Sequence, residues 1–187
     1  KGKVRFLTGL DMTGAMWEQG LTYLDLLVIG KGEDMPFPAK SFDLITVRQG
    51  IQFMDAPKAV AEMTRVARPG GMVEVIQLCA YDDEEKAETF EVQRLRNPVR
   101  ANFFLEEDLS KLLNDAGLKD VQTHAYYSYE SARNWLDNDA ITKERQEEAI
   151  DIYRKASDHF KAVHELRQEG DDFIDKMKIV IATGVKA

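Results

Sequence analysis

Polar residues that follow short apolar runs are the places where this chain could do chemistry. Asp11 and Met12 follow Leu10, Gly32 and Glu33 follow the run 24–29, and Arg48 and Gln49 follow the run 42–47. In open α/β sheets ligands bind at the carboxyl ends of the strands, so a carboxylate such as Asp11 at a strand end is a candidate ligand group. Residue types that would announce nucleophilic or metal chemistry are sparse. The one cysteine, Cys79, ends an apolar run and reads as a buried thiol; alone, it excludes an internal disulfide and a cysteine-based zinc cluster. The histidines His124, His159 and His164 show no HExxH or comparable ligand spacing, and no metal is expected. His124 is the one histidine on a predicted strand near the later aromatic residues. It reads either as a general base or as a structural residue, and no catalytic residue is assigned.

These residues need elements to hold them. The segment 42–47 (FDLITV) is apolar and β-branched, with Pro36, Pro38 and Ser41 before it, which predicts a buried strand. Residues 56–67 carry Val60, Met63, Val66 and Ala67 at helical spacing, and Arg68-Pro69-Gly70-Gly71 stops that helix before an apolar strand at 72–78. Strand, helix, strand is the unit of a parallel sheet with right-handed crossovers. Further strands are predicted at 4–7, 24–29, 121–129 and 179–185. Helices are predicted from 13 to 19, 106–116, 131–137 and 142–168, and residues 82–96 read as a helix or a lid.

Within that frame the motifs EDMPFP, SFDLIT and a helix ending in RPGG before an apolar strand strongly resemble the class I S-adenosylmethionine-dependent methyltransferases. They are most similar to the small-molecule enzymes of the ubiquinone/menaquinone-biosynthesis type, over about residues 8–118. The resemblance implies an α/β, Rossmann-like, mostly parallel sheet with helices on both faces and a C-terminal antiparallel strand pair. It implies one domain over residues 1–187, with 131–176 as a helical insertion between the last two strands. It implies S-adenosylmethionine as cofactor, S-adenosylhomocysteine as product and a small-molecule acceptor methylated on O, N or C. Asp11 would accept the ribose hydroxyls, Met12 would pack on adenine, and Gly32 and Glu33 would read the adenine edge, with Lys31 standing where many relatives carry aspartate. Arg48 and Gln49 would lie beside the methionine moiety, and Gln52 takes a place where relatives often carry histidine. Direct displacement from a sulfonium needs donor and acceptor held in line rather than a nucleophile or metal, so the missing triad is consistent with this class. Tyr81, Phe103, Phe104, Tyr126, Tyr127, Tyr129 and Trp135 supply either an aromatic acceptor pocket or ordinary core.

One departure is large. The family places a glycine-rich loop and a helix between its first two strands, whereas here Leu7 abuts Thr8. Parallel neighbours need a crossover of about a dozen residues, so the expectation is a segment absent between Leu7 and Thr8, with genuine loss of the loop as the alternative. A second, smaller shortfall is expected near Gln19 and Gly20.

Composition bounds the rest. A chain of 187 residues, 44% hydrophobic, suffices for one domain with a substantial core. With 33 acidic against 25 basic residues, a net charge of −8 disfavours nucleic acid as partner. Arg94, Arg96 and Arg100 form a local basic patch that reads as a solvated helix face or, alternatively, as a seat for an anionic small substrate. No apolar run reaches the roughly 18–20 residues of a membrane span, and no secretory signal is visible, so a cytoplasmic protein is expected; a homodimer is left open. The rival to the enzyme is a non-catalytic, methyltransferase-like binding or oligomeric protein without the glycine loop. An NAD-linked oxidoreductase, which also needs a glycine fingerprint, ranks last.

Overall fold

Alternating apolar residues and short crossovers fold the described residues into two sheets. The computed structural model describes residues 4–13, 23–139 and 141–187. Strands β1 (Thr8–Asp11) and β2 (Leu26–Ile29) pair in parallel, Thr8 opposite Leu26 and Asp11 opposite Ile29. The larger sheet contains β3 (Phe42–Arg48), β4 (Ala67–Cys79), β5 (Lys119–Ser131), β6 (Arg167–Glu169) and β7 (Asp172–Val185). Its order is β3-β4-β7-β5, with β6 forming a hairpin onto β7. β3 and β4 are parallel, and β7 runs antiparallel to both β4 and β5. The α/β, Rossmann-like fold therefore carries a mixed sheet, parallel at β1/β2 and β3/β4 and closed by the antiparallel pair β5/β7.

Helix α1 (Ala56–Val66) forms where the sequence places its signals. The Asp55 side chain accepts from the Lys58 N–H at 3.3 Å, Pro57 lies in the first turn, and Ala59, Val60, Met63 and Val66 are buried along one face. That face packs on Val73 and Val75 of β4 and on α3 (Glu106–Asp115), whose Leu109 and Leu113 join the same core. Each of Val60, Met63 and Val66 contributes about 1.5–3 kcal/mol by burial, and Val60→Asp would place an unpaired carboxylate in the core. The RPGG turn is built into β4 itself. Phe42 pairs with Ala67 but Leu44 with Met72, so Arg68–Gly71 arch out of the ladder. Gly70 takes φ +76°, and a Cβ on Gly71 would stand 2.8 Å from the Arg68 carbonyl and 3.0 Å from that of Phe42. The Lys186 ammonium donates to the Arg65 and Ala67 carbonyls at 3.1 and 2.8 Å and closes the helix end.

The segment after β2 is tied to α1 by one ion pair. Arg65 donates to Glu62 at 2.6 Å and to the carbonyls of Phe37 and Met35, both at 2.9 Å, while the Met35 N–H donates to Glu62. The small sheet is thereby anchored to the large one without sharing a strand.

Two expectations are corrected. Residues 4–7 form no strand of their own: the Leu7 carbonyl accepts from the Asp25 and Leu26 N–H groups at 2.9 and 3.3 Å and its N–H donates to the Asp25 carboxylate. Leu7 thus leads straight into β1 alongside β2, and the chain needs no crossover between Leu7 and Thr8. The expected helix 142–168 is two helices, α5 (Lys143–Lys155) and α6 (Asp158–Val163), followed by β6. Ser157 breaks it by capping α6 at Phe160 while giving its own N–H and hydroxyl to Glu88, at 2.8 and 2.6 Å. The helix expected over 13–19 and the shortfall near Gln19 and Gly20 lie almost wholly outside the described residues.

Residues 82–96 supply a helix, α2 (Lys86–Arg96), and α4 (Ala132–Leu136) follows β5. Together α2, α4, α5 and α6 surround a second core of Val92, Leu136, Ile150, Tyr153, Phe160 and Phe173.

Candidate functional site

Of the six candidate cofactor residues, Gly32, Glu33 and Gln49 contact one short segment, Gly50 to Asp55, which contains a 3-10 turn, Ile51–Phe53; Arg48 precedes Gln49, and Asp11 and Met12 stand at the end of β1. On one side lie the ends of β1 and β2. The Asp11 carboxylate accepts from the N–H and hydroxyl of Thr13, at 2.7 and 3.0 Å, and the Asp11 carbonyl accepts from the Gly30 N–H. Met12 is 66% exposed. Gly32 presses against α1's approach: a Cβ there would lie 2.7 Å from the Met54 sulfur. The Glu33 carboxylate accepts from the Asp55 N–H at 3.0 Å. On the other side, Arg48 ends β3 exposed, and Gln49 follows in the left-handed region at φ 51° with its N–H on the Ile76 carbonyl. A non-glycine residue held at positive φ is costly and concentrates at functional sites.

Gln49 is the centre of a node of three amides. The Gln52 side-chain NH2 donates to the Gln49 carbonyl at 2.8 Å, and the Gln77 NH2 donates to the Gln49 side-chain oxygen at 3.2 Å. Gln52 and Gln77 are 4% and 0% exposed, yet the Oε1 atom of each has no donor. A buried acceptor left unsatisfied costs about 1–3 kcal/mol, so two on one node need a reason. Gln77 was not singled out from the sequence; the available signal was a glutamine inside the apolar run of β4. A strap over residues 100–104 covers the node, with the Ala101 and Asn102 N–H groups on the Gln52 carbonyl at 2.9 and 3.0 Å.

Beyond the end of β4, the second core encloses a small cavity of about 20 Å3, room for one water. It is lined by Cys79, Gln93, Trp135, Tyr153, His164 and Asp175, among others. His164 organises one wall. Its Nδ1 lies 2.7 Å from Asp175, whose other oxygen accepts from the Tyr153 hydroxyl at 3.0 Å, and its Nε2 lies 3.5 Å from Glu85. Glu85 also accepts from the Thr89 hydroxyl at 2.5 Å and from the Tyr81 N–H. Burial opposes a charge on His164, but the hydrogen bonds to Asp175 and Glu85 outweigh it and raise its pKa to about 9. A histidine held protonated at neutral pH is no general base. Cys79 is pushed up to about 12 by burial and is an inert thiol.

His124 is exposed on β5, away from this cavity. Of the aromatic residues considered from sequence, Trp135 lines the cavity, Tyr81 meets the His164 ring edge-on at 4.8 Å, Phe104 belongs to the main core, and Tyr127 and Tyr129 are half exposed. His164, Asp175, Tyr153 and Gln93 were missed, because they converge from α2, α5 and the β6/β7 region with no local motif.

Comparison with known proteins follows the same division. Residues 2–75 match the model of the methyltransferase domain. The chain is 29% identical over 164 residues to the uncharacterized methyltransferase YcgJ of Bacillus subtilis, covering 84% of this chain and 64% of that protein. It is 35% identical over 85 residues to the ubiquinone/menaquinone biosynthesis C-methyltransferase UbiE of Psychromonas ingrahamii, covering 41% of this chain and 34% of that protein. The crystal structure of YcgJ aligns with a TM-score of 0.84 at 21% identity, over 96% of this chain and 81% of that one. The chain thus has the fold of YcgJ and, over residues 2–75, is similar in sequence to a methyltransferase domain. It spans roughly a third to two thirds of these two curated relatives. All six candidate cofactor residues fall inside the matched stretch 2–75, whereas the cavity beneath α2, α4, α5 and α6 lies outside it.

Proposed function

We propose that this chain transfers the methyl group of S-adenosylmethionine to an O, N or C atom of a small-molecule acceptor, with the Gly50–Asp55 segment as the cofactor floor and the cavity at the end of β4 as the start of the acceptor pocket. The supporting observation is the pair of donorless buried oxygens on Gln52 and Gln77. A cofactor carrying an ammonium and a sulfonium offers the positive groups that such carboxamide oxygens accept, so the residues present fit it. Asp11 and Met12 would hold the ribose and adenine, with Gly32 and Glu33 forming the wall beside them. Arg48 and Gln49 would flank the methionine end.

When bound, the sulfonium supplies an activated methyl group. The chain's own residues then position and exclude water: the strap over 100–104 covers the node, and the second core closes the acceptor side. The acceptor's proton, where it has one to lose, leaves to solvent or to substrate groups, since His164 is already protonated.

Calorimetric titration with S-adenosylhomocysteine tests the reading. Saturable binding at one per chain is expected. Absence of binding at millimolar ligand would sink it and favour a non-catalytic methyltransferase-like protein.

A further inference from the structure

The arginines on the strap side of the cavity have no acid to answer them. Arg96 stacks over Trp135, its guanidinium 4.4 Å from the ring centroid, and its Nε donates to the Trp135 carbonyl at 2.8 Å. Arg100 gives its Nε to the Asn102 carbonyl at 2.9 Å and lies over Phe103, while its Nη2 is buried with no partner. Among the described residues neither arginine has a carboxylate within 4.0 Å, although Arg94 on the same helix pairs with Glu91. Burial, with a smaller contribution from Arg96, lowers the Arg100 pKa from its usual value. Two half-buried guanidinium groups without a counter-ion form an arrangement that wants an anion.

A second observation lies beside them. Gln93 is 2% exposed, lines the cavity, and has neither amide atom hydrogen-bonded. It shares that cavity wall with Trp135, on which Arg96 rests. The strap that carries Arg100 is hydrogen-bonded through Ala101 and Asn102 to Gln52 of the amide node. The positive groups therefore stand between the cofactor floor and the cavity.

The acids nearby do not point to a cationic ligand instead. Asp175 is satisfied by His164 and Tyr153, Glu85 by Thr89, Tyr81 and His164, and Glu106 by Lys178 at 2.9 Å. These three carboxylates are engaged, whereas the Arg100 Nη2 and the Gln93 amide have no hydrogen-bond partner.

We propose that the acceptor is a small molecule bearing an anionic group, carboxylate or phosphate, seated on Arg96 and Arg100, with the Gln93 amide hydrogen-bonding the part that enters the cavity. This rests on the methyltransferase reading of the same site. The cavity of about 20 Å3 has room for a single water, so the acceptor enters by displacing the helices that roof it.

The test measures binding of benzoate and phenyl phosphate, with neutral benzamide and cationic benzylamine as matched probes, to the intact chain with and without saturating S-adenosylhomocysteine. Benzoate or phenyl phosphate is expected to bind at least tenfold more tightly than benzamide, and the better of the two identifies the anion as carboxylate or phosphate. Arg100→Gln and Arg96→Gln should each lower that affinity about tenfold, Arg→Lys at either site should restore part of it, and S-adenosylhomocysteine affinity should stay unchanged in the Arg96 variants. If Arg100→Gln does not fold, the more accessible Arg96→Gln and Arg96→Lys pair decides alone. Preference for benzylamine or benzamide, or anion binding indifferent to both arginines, overturns the inference even where S-adenosylhomocysteine binds. Anion binding that needs both arginines without any S-adenosylhomocysteine binding would keep the anion seat and overturn the methyltransferase reading instead.

Discussion

The two buried polar networks differ in one respect that sorts structure from function. Around His164 every partner is satisfied: one imidazole, two carboxylates, a threonine and a tyrosine close on themselves. Around Gln49 the network is open, with acceptor oxygens of Gln52 and Gln77 and the Nη2 of Arg100 lacking partners. A closed network rigidifies the interior it occupies, while an open one of this burial is destabilising until something fills it. The first network thus holds the second core together, and the proposed cofactor would fill the second network.

Breaking the closed network should give the largest effect. His164→Ala removes the cation between Asp175 and Glu85 and is expected to destabilise the fold by about 3–5 kcal/mol, as for other buried pairs that lose one partner. Urea denaturation checks this. The same network gives the wild-type chain a pH signature. The His164 pKa is raised from 6.5 to about 9 in the folded state, so its stabilisation is full below about pH 6.5 and is lost as pH rises through about 9. Unfolding midpoints measured across that window should fall toward high pH in the wild type, and the fall should be reduced in His164→Ala. A flat wild-type profile would assign His164 a neutral, merely packing role.

Opening the other network further should hardly matter to stability. Gln77→Leu keeps the volume, gives up hydrogen bonds to Gln49 and Leu78 at 3.2 and 3.3 Å, and removes an orphaned oxygen. The two effects oppose each other, and the net change is expected within about 1 kcal/mol. S-adenosylhomocysteine affinity should nevertheless fall at least tenfold, about 1.4 kcal/mol. If stability drops by several kcal/mol while affinity holds, the comparison between closed and open networks fails.

The contrast also explains what the sequence could disclose. Strand β3, helix α1 and the RPGG arch were legible because their signals are local: β-branched runs, a capped apolar stripe, and glycines at a forced turn. The six cofactor candidates rest on the same kind of local signal, each standing after an apolar run. The mixed strand order was not, since β7 reaches β4 from more than ninety residues away and no periodicity reports which strands pair. Residues 4–7 were misread because a short apolar run does not say whether it pairs as a strand or leads into one. The His164 network was hidden because its members are far apart in the chain and each alone looks like ordinary polarity. Gln77 and Gln93 were the nearest to a missed signal, being amides where the surrounding pattern calls for apolar residues.

Asp11 offers the finest test, because there geometry and function make different demands on one carboxylate. Its Oδ1 holds the Thr13 N–H and hydroxyl in a tight turn at the end of β1. An amide oxygen can accept the same two bonds, so Asp11→Asn should change stability by only a few tenths of a kcal/mol. Accepting two ribose hydroxyls is a different matter, since hydrogen bonds to a charged acceptor are roughly twice as strong as neutral ones. S-adenosylhomocysteine affinity should therefore fall about tenfold, and the loss should be specific to the sugar. Adenosine and 2′,3′-dideoxyadenosine, used as competing ligands, make that visible: their affinities should differ clearly on the wild type and converge on Asp11→Asn, the coupling expected of groups in direct contact. An equal loss for both nucleosides would mean that Asp11 merely shapes the loop, and the ribose contact would have to be sought elsewhere around the Gly50–Asp55 segment.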